Sequence, residues 1–595
     1  MNQPRHLITT ADQATWKFDR SVIFLGEWCK LYDQKEIWER MDAITATPYG
    51  LGKTKKDSDY AQARTLKYKL FPKVCNLLNH YHDTTYNERY WRIIFGNWFI
   101  RIIDVLLNRI LTLQQCLDLY NISGTTLYAN SSYSLAPEDS LSAIFAFNDD
   151  YWNNALNERI LHLTCNQDLA IDYIYEDDHK CFSIESMGCV FDPSLKILLL
   201  LKSKYRETFS AILGMMTRET DALITSTYLP GIVAIKLNLS LGQLPRISIS
   251  PKFKFFGKPN SQNRKCLGKQ LESSAVDHIE KVISALLFEV MPICFLENYN
   301  EIKKLSNNLP WPNKPKFIFT CNCFDTDELF KFWSASKVES GVKYFVGQHG
   351  NNYGTFRYNY PTNEETISDK FITWGWSDGL PQHTPAFILK TAGIKSKQFN
   401  NHGGLLLIQC SLEHRVSTFD STYKFQSYFC DQQEFCSKLS GHIVVFLTLR
   451  LHPGWKYQRW NEEERWRKFN PNINIDNGST NVKKLWRKNR LIIHSYDSTG
   501  ILETLSLNIP TLAFWQNGLE HLRESAIPYY QLLIDAGIIH LSAESAAYKV
   551  NEIWDNIEDW WQQAEVQDAR KLFCERYARH SANPVEDLLK ILNTT

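Results

Sequence analysis

The spacing of apolar residues along this chain predicts long helices in its first third and alternating strands and helices in its second half. Between Asn87 and Leu119, large apolar side chains recur at steps of three and four residues, the period of a helix with a buried face. More helix follows around Leu141–Leu163, and Ile171–Cys189 has the pattern of short strand-like pieces. Short apolar runs, typical of buried strands, occur at Ser21–Leu25, Phe317–Cys321, Lys343–Val346, Lys370–Thr373, Leu405–Gln409, Ile443–Leu449, Ile473–Ile475, Leu491–His494 and Thr511–Trp515.

Helical stretches follow several of these runs, at Asp327–Trp333, Thr422–Leu439 and Gly500–Leu507. Strands that alternate with helices form βαβ units and parallel sheets, so an α/β fold is expected. A single core stops growing at about 250–300 residues, and this chain has 595. The polar segment Lys395–Gly404 is typical of a linker. We therefore expect an α/β domain with helical insertions over 1–395, a second α/β domain over 400–565, and a C-terminal helix over 566–595 that packs back on the first.

Composition and charge exclude several classes of protein. The formal net charge is +1, so no overall field favours nucleic acid as a partner. The 14 cysteines form no C-x-x-C pair, and the lone C-x-C at Cys321 and Cys323 has no zinc-site spacing around it, so no metal is expected. Charged and polar residues fill Met1–Arg20, which predicts no signal peptide. Free thiols fit a reducing cytoplasm, and we expect a soluble, cytoplasmic protein.

A basic and aromatic segment at Pro251–Lys269 predicts a surface feature. It carries six lysine and arginine residues among three phenylalanines. Such a segment contacts anionic lipid or a charged glycan, or it is an ordinary solvated loop. Peripheral contact with the cytoplasmic face of the inner membrane is therefore one of two interpretations.

A turn with the sequence DSTG, at 497–500, carries the strongest chemical signal. The preceding strand ends at His494 and a helix follows, so free backbone N–H groups and the positive end of the helix dipole meet here, an arrangement that suits phosphate. Ser498 and Thr499 add hydroxyl donors. Glu503 lies one turn later, where a carboxylate can accept a hydrogen bond from a ribose hydroxyl. A serine or threonine is also a routine helix N-cap, and the turn alone leaves both interpretations open.

A second motif, Arg450-Leu451-His452-Pro453, directly follows a predicted strand. Ligands of open α/β sheets bind at the carboxyl ends of strands. Arg450 and His452, two residues apart, are both donors to phosphate, and Pro453 fixes the turn. The alternative is a capped strand with a solvated arginine.

A third motif combines Gln348-His349-Gly350 with a later S-D-K-F-I-T-W-G-W stretch at Ser368–Trp376. Glycines allow the backbone to approach a ligand closely. His349 can donate to phosphate or transfer a proton. A glycine-rich hinge between domains is compatible with either role.

These motifs resemble the donor half of GT-B glycosyltransferases. The HP dipeptide followed by D-S-T-G-x-x-E is most similar to bacterial enzymes that use CMP-activated sugars, namely the 3-deoxy-manno-octulosonate (Kdo) transferases of capsule and lipopolysaccharide and the GT-B sialyltransferases. The Q-H-G and S-D-x-F-x-x-W-G arrangement is similar to surface-polysaccharide transferases and, more loosely, to CDP-glycerol polymer transferases. The resemblance implies that the donor phosphate is held by His452, Pro453, Ser498 and Thr499 and the ribose by Glu503. Arg450, Gln348, Gly350 and Gly500 complete the expected donor site.

At the scale of the whole chain, the sequence resembles transferases encoded in O-antigen gene clusters. The resemblance includes FLGEWC at 24–29, NERYWR at 87–92 and NDDYWN at 148–153. It implies a GT-B-like α/β fold, with two Rossmann-like domains whose parallel sheets face a central cleft and with helix-rich N-terminal insertions. The implied reaction moves an ulosonic-type sugar, such as Kdo, sialic or pseudaminic acid, from its CMP donor to a lipid-linked, lipopolysaccharide or capsule glycan.

Acidic residues in the first half are candidates for the chemistry of this reaction. A CMP leaving group needs no metal and no further cofactor, but the acceptor hydroxyl must lose its proton to a carboxylate or a histidine. Glu27 directly follows a predicted strand, and Asp150 lies in a polar turn, where it can instead cap the next helix. Glu27, Asp150 and His349 are therefore the expected catalytic residues. UDP- or GDP-sugars or CDP-glycerol as donors, and a non-catalytic nucleotide- or glycan-binding protein, remain alternatives.

Overall fold

The computed structural model describes residues 3–593 apart from 130–132, 165–168, 176–180, 183–217, 246–249, 252, 256, 360, 395–399, 401 and 420. Its named strands form three sheets, and every strand pairing within them is parallel. The predicted α/β fold with parallel sheets is confirmed. Most of the predicted linker at Lys395–Gly404 and of the strand-like stretch Ile171–Cys189 lies outside the described residues, as does Lys252 of the basic segment.

The N-terminal sheet has the strand order β3-β2-β1-β4-β5. Its strands are β1 Arg5–Ile8, β2 Val22–Phe24, β3 Ala43–Thr45, β4 Ile122–Tyr128 and β5 Ala170–Ile174. Its helices are α1 Lys35–Trp38, α2 Lys53–Tyr81, α3 Glu88–Leu119, α4 Ser140–Ala146 and α5 Asp150–Thr164. Helix α3 is the long helix expected from the apolar spacing; Asn87 caps it by accepting a hydrogen bond from the Tyr90 N–H, and Trp91 and Trp98 are buried on it.

The middle sheet has the strand order β10-β9-β8-β7-β6. Its strands are β6 Leu223–Thr225, β7 Phe317–Thr320, β8 Lys343–Gly347, β9 Lys370–Thr373 and β10 His383–Pro385. Its helices are α6 Gly231–Ser240, α7 Ser261–Glu272, α8 His278–Leu287, α9 Tyr299–Asn307, α10 Cys323–Thr326, α11 Glu328–Glu339 and α12 Asn363–Ile367. Residues 1–395, expected as one α/β domain, thus contain two of the three sheets.

The C-terminal sheet has the strand order β13-β12-β11-β14-β15-β16. Its strands are β11 Gly404–Ile408, β12 Leu447–Arg450, β13 Asn474–Asp476, β14 Asn489–His494, β15 Thr511–Phe514 and β16 Ile539–His540. The helices from here on are α13 Lys424–Lys438, α14 Gly441–Val444, α15 Glu462–Phe469, α16 Val482–Lys488, α17 Thr499–Ser506, α18 Ile527–Asp535, α19 Ala543–Ile553, α20 Ile557–Trp561, α21 Ala564–Tyr577 and α22 Pro584–Leu592.

One predicted strand, Ile443–Leu449, is wrong in its first half. The chain forms the short helix α14 at Gly441–Val444, and strand β12 begins only at Leu447. Between them Val445 and Phe446 are exposed, at 76% and 50% of their surface. A short apolar run carries no periodicity that separates a strand from a turn of helix, so the run was extended too far toward the N-terminus.

The last two helices lie against different sheets. Helix α21 packs on α18 and α17 of the C-terminal sheet. Helix α22 packs on α6 beside the middle sheet, where Leu588 and Leu592 share one apolar cluster with Val233 and Leu237. The chain end therefore links the C-terminal and middle sheets. In the described residues, no helix combines the length and the apolar composition needed to cross a bilayer.

Candidate active site

The turn between β14 and α17 leaves the start of the helix open. Ser498 is the residue before the helix, but its side chain makes no capping hydrogen bond. Its hydroxyl lies instead 3.2 Å from Nδ1 of His494, at the end of the strand. The first N–H groups of α17 are therefore not satisfied by a side-chain cap, and the positive end of the helix dipole adds to their attraction for an anion.

His494 shapes this turn from inside the protein. Its ring is buried, and burial lowers its pKa to about 3, so the ring is neutral at physiological pH. Gly500 allows the ring to come close, because a Cβ at this position would lie 2.6 Å from Cε1 of His494. The predicted glycine at the helix start is thus required by the packing of a histidine ring.

The structure brings two of the sequence motifs together. The loop after β8 reaches the α17 turn, where the backbone N–H of Asn351 donates to Oγ1 of Thr499 over 3.2 Å and its Nδ2 donates to Asp497 over 2.6 Å. The side chain of Asp497 is 5% exposed, and it also accepts hydrogen bonds from Tyr530 (3.0 Å) and from Nε2 of His521 (2.9 Å). We call Asn351, Asp497 and Thr499 the loop–helix joint. It holds the Q-H-G loop of the middle sheet against the open helix start of the C-terminal sheet.

Gln348 braces the Q-H-G loop from below. It is buried, its Nε2 donates to the Gly350 carbonyl over 2.8 Å, and its Oε1 accepts from the Trp374 N–H (2.9 Å) and from Nε1 of Trp376 (2.7 Å). This explains why the Q-H-G and W-G-W stretches occur together in the sequence. Gln348 was expected to bind the donor. In the structure, Nε2 and Oε1 of its side chain both make these internal hydrogen bonds.

His349, the middle residue of the Q-H-G loop, is partly exposed. Its ring lies near those of Phe324 and Tyr228, with ring centroids 5.9 Å and 6.3 Å away. Nδ1 lies 3.2 Å from the hydroxyl of Tyr353, which in turn donates to Glu364. Burial lowers the pKa of His349 to about 4, so its ring is neutral at physiological pH and able to accept a proton.

Glu503 has a cationic partner that the sequence motifs did not identify. Nζ of Lys390, on the segment that joins the middle and C-terminal sheets, lies 3.5 Å from Oε1 of Glu503 and 5.1 Å from the centre of the Tyr228 ring. Burial raises the pKa of Glu503, and the charges of Lys390 and Lys483 oppose that rise. The positive charge of Lys390 also lowers the pKa of His349. Lys390 therefore acts electrostatically on both Glu503 and His349.

Two residues of the R-L-H-P motif have different surroundings: Arg450 makes internal hydrogen bonds, and His452 is exposed. Nη1 of Arg450 donates to Asp476 and to the Thr480 carbonyl, each over 2.7 Å, so Arg450 ties β12 to the chain after β13. The guanidinium of Arg450, which was expected to donate to phosphate, thus donates to Asp476 and Thr480. His452 is exposed, and its Nδ1 accepts from the Gly454 N–H over 3.1 Å, which directs any ligand contact to Nε2.

Pro453 packs against the chain after β13. A Cβ on Gly478 would lie 2.7 Å from its Cα, so proline and glycine are in close contact. This close contact constrains the path of the turn.

The two predicted catalytic carboxylates of the first half have separate partners. Glu27 begins a short 3-10 turn, Glu27–Cys29, separated from the end of β2 by two residues, and its Oε1 lies 3.0 Å from Nζ of Lys30. Asp150 accepts from the Ala11 N–H over 3.2 Å and pairs with Arg415 of the C-terminal half at 3.1 Å. Burial raises the pKa of Asp150, and Arg415 opposes that rise. Within the described residues, no hydrogen bond or ion pair joins these carboxylates to each other or to His349.

The residues that sequence reasoning missed are Asn351, Asp497, Lys390, Tyr353 and Glu364. Asn351 and Asp497 lie inside motifs that were recognised, and their position next to Gly350 and Ser498 was the available signal. Lys390 lies in no motif. Tyr353 and Glu364 are hydrogen-bonded to each other but lie eleven residues apart in the sequence, so no local pattern pairs them. In the described part of the chain, no group of three or more His, Cys, Asp and Glu side chains is placed to hold a metal ion.

Comparison with known proteins gives remote structural likenesses. The spinosyn rhamnosyltransferase SpnG matches with a TM-score of 0.32 and 11% identity over 63% of this chain and 100% of its own. MurG of Acinetobacter baumannii matches with a TM-score of 0.32 and 9% identity over 63% and 100%. The S. aureus MnaA–UDP co-structure matches with a TM-score of 0.32 and 13% identity over 57% and 95%. TM-scores of this size transfer neither a function nor a binding mode.

Sequence comparison is more decisive. No curated protein matches the chain. The family model described as "LIC12162 family transferase" matches residues 5–592, almost the entire chain. This chain is therefore a member of the LIC12162 family of transferases.

Proposed function

We propose that this transferase is a glycosyltransferase that binds a nucleotide-activated sugar at the start of α17. The observation that carries the proposal is the uncapped helix start at Thr499, held against the Q-H-G loop by the loop–helix joint. Backbone N–H groups at such a position favour a phosphate group. The hydroxyl of Thr499 and the accessible Nε2 of His452 are donors on the same edge of the C-terminal sheet.

The donor in this proposal is a CMP-activated ulosonic acid. The resemblance of the HP and DSTG motifs to CMP-sugar transferases is its basis, together with one helix start suited to one phosphate. Glu503 would accept a hydrogen bond from the ribose. The acceptor would be a lipopolysaccharide, O-antigen or capsule glycan, reached in the cytoplasm or at the inner face of the membrane.

His349 is the proton acceptor that we propose for the acceptor hydroxyl. It is partly exposed, it is neutral at physiological pH, and it lies on the same loop as Gly350 and Asn351, which reach the α17 turn. General-base catalysis requires such a group within hydrogen-bond reach of the reacting hydroxyl. Glu27 and Asp150 are the second candidates, on the edge of the N-terminal sheet.

A nucleotide-binding screen tests the donor. We expect CMP to raise the thermal midpoint of the protein more than CDP, UDP, GDP or dTDP, since a ligand of the folded state stabilises it by mass action. Stabilisation by a nucleoside diphosphate and not by CMP would instead favour a UDP-sugar, a GDP-sugar or CDP-glycerol as donor. No stabilisation by any nucleotide would contradict the proposed site itself.

Two substitutions test the phosphate contacts. Thr499→Val and His452→Ala should each weaken CMP binding by about 1–3 kcal/mol, because each removes a hydrogen-bond donor to a charged group. Ser437→Ala removes an exposed helix hydroxyl that hydrogen-bonds only locally, to the Glu434 carbonyl, and serves as the matched control. CMP affinity that is equal in all three variants, measured by titration calorimetry, would refute the assignment.

Transfer and slow hydrolysis of a CMP-sugar test the reaction. His349→Gln should abolish turnover and leave CMP affinity unchanged. Loss of turnover in Glu27→Gln or Asp150→Asn, with full activity in His349→Gln, would move the base to the N-terminal sheet. Nucleotide binding without transfer or donor hydrolysis in the unsubstituted protein would favour a non-catalytic binding protein.

A further inference from the structure

A buried chain of hydrogen bonds runs from His349 into the protein. Nδ1 of His349 lies 3.2 Å from the Tyr353 hydroxyl, and that hydroxyl donates to Oε1 of Glu364. Tyr353 is 2% exposed and Glu364 is 8% exposed, whereas His349 reaches the surface. The chain therefore connects one accessible imidazole to a carboxyl group that solvent hardly reaches.

The direction of these hydrogen bonds fixes the tautomer of His349. A tyrosine hydroxyl has one proton to donate, and an ionised carboxylate can only accept. When Tyr353 donates to Glu364, its oxygen can only accept from His349, so the imidazole proton lies on Nδ1. Nε2 then carries a lone pair and is the ring atom that can take a proton.

We propose that Tyr353 and Glu364 are positioning residues that hold His349 in the tautomer required of the base. The inference rests on the function proposed above. In the reaction, the acceptor O–H proton moves to Nε2, the acceptor oxygen forms a bond to the anomeric carbon, and the bond from that carbon to the phosphate oxygen breaks, releasing CMP. The imidazolium formed is stabilised by the Tyr353–Glu364 pair, and no proton needs to leave Nδ1.

Of the charges around this chain, Lys390 opposes an imidazolium at His349, so the stabilising charge comes from Glu364. Arg101 pairs with Asp325 at 2.6 Å and 3.0 Å, so these two neighbours of His349 largely cancel, while Lys390 adds a positive charge. Glu365, next to Glu364, is itself paired with His383 at 3.0 Å. No cation pairs with Glu364 in the described residues, so its charge is offset by the Tyr353 hydroxyl and by an imidazolium when one forms.

The pH dependence follows from Glu364. Burial raises its pKa to about 7, and the negative charges of Asp325 and Glu365 act in the same direction. Below this pH Glu364 is protonated and no longer stabilises the imidazolium, so kcat should fall as the pH drops through about 7. Glu364→Gln should lower kcat and remove this step from the pH profile.

Tyr353→Phe is the sharpest variant, because it removes one oxygen and keeps the ring. Tyr344→Phe is its matched control: Tyr344 is buried on β8, and its hydroxyl has no hydrogen-bond partner among the described residues. We expect Tyr353→Phe to reduce kcat by about 10-fold to 100-fold, less than the roughly 100-fold to 10,000-fold effect of a general base itself, with donor KM nearly unchanged. Tyr344→Phe should keep the kcat of the unsubstituted protein.

The tautomer can be observed without any turnover. In protein labelled with [15N]histidine, the His349 signals, identified by their loss in His349→Gln, should show a proton on Nδ1. In Tyr353→Phe the Nδ1 preference should weaken or reverse, and in Tyr344→Phe it should remain. A His349 protonated on Nε2 in the unsubstituted protein, or the same tautomer and kcat in Tyr353→Phe and Tyr344→Phe, would overturn the inference. If CMP binding and transfer fail while the tautomer is as expected, the proposed function is wrong and the positioning of His349 stands.

Discussion

At the scale of single residues, the α17 turn depends on the contact between Gly500 and the ring of His494. The ring is buried and neutral, and it lies 3.2 Å from the Ser498 hydroxyl. Because that hydroxyl is directed to His494, it does not cap the helix. A buried histidine thus leaves the start of α17 without a side-chain cap, at the position where we propose that phosphate binds.

Gly500→Ala should disturb this contact. The added Cβ would lie 2.6 Å from the His494 ring, and overpacking of this kind costs about 1–3 kcal/mol, more than the helix propensity of alanine returns. Gly441→Ala is the control, because a Cβ there meets nothing within 4 Å. Urea unfolding should show a lower midpoint for Gly500→Ala and an equal or higher one for Gly441→Ala. Equal midpoints in the two variants would contradict the packing argument.

His494 should also make the protein sensitive to acid. Its pKa is about 3 in the folded protein against 6.5 when exposed, so the unfolded chain takes up the proton first and stability falls as the pH drops below 6.5. At pH 5 the loss from this residue is about 2 kcal/mol, at 1.36 kcal/mol per unit. Between pH 7.5 and pH 5, the thermal midpoint of His494→Gln should therefore fall less than that of the unsubstituted protein. Parallel declines in the two proteins would show that His494 does not titrate in this way.

At the scale of elements, the loop–helix joint couples the middle sheet to the C-terminal sheet. Asn351 is buried and makes two of its hydrogen bonds, to Thr499 and to Asp497. The Q-H-G loop is therefore positioned by the same turn that is proposed to bind phosphate. Movement of one motif is expected to displace the other.

Asn351→Ala tests this coupling. Loss of the Nδ2 contact to Asp497 should weaken CMP binding by about 1–2 kcal/mol, since a hydrogen bond to a buried charge is lost beside the site. Asn352→Ala, whose side chain takes no part in the joint, should leave the affinity nearly unchanged. Calorimetric titration of both variants provides the measurement, and a larger loss in Asn352→Ala would contradict the coupling.

The elements also show how far sequence reasoning reaches. Strands β8, β9, β11, β14 and β15 and helices α3, α13 and α17 were predicted within a few residues, because buried strands and amphipathic helices have local patterns. The site could be located near the ends of β8, β12 and β14 for the same reason. The Asn351–Asp497 contact, the Lys390–Glu503 pair and the role of Gln348 could not be predicted, since each depends on which segments the fold brings together. The Arg450–Asp476 pair could not be predicted either, because Asp476 lies on a neighbouring strand.

At the scale of the whole molecule, the N-terminal and C-terminal sheets are joined by polar contacts near their loops. Asp150 pairs with Arg415 at 3.1 Å, and Asp33 pairs with Arg459 at 2.6 Å. The backbone N–H of Tyr32 donates to His414 over 2.9 Å. These contacts connect the loops that carry the N-terminal carboxylates to the C-terminal half.

A double-mutant cycle on Asp150 and Arg415 measures this connection. Asp150→Asn and Arg415→Gln should each lower the free energy of unfolding. The double variant should lose less free energy of unfolding than the sum of the two single losses. The difference, the coupling energy, should be about 1–3 kcal/mol for a partly buried, charged hydrogen bond. Asparagine keeps the acceptor for the Ala11 N–H, so only the ion pair is removed. Strict additivity of the two effects would show that the pair does not join the halves.

The uncapped start of α17 is where we propose that the donor phosphate binds. A crystal structure of the protein with CMP tests this proposal most directly. We expect the phosphate within hydrogen-bond distance of the first backbone N–H groups of α17 and of the Thr499 hydroxyl, with Nε2 of His452 facing it. CMP bound elsewhere, with the helix start occupied only by water, would contradict it.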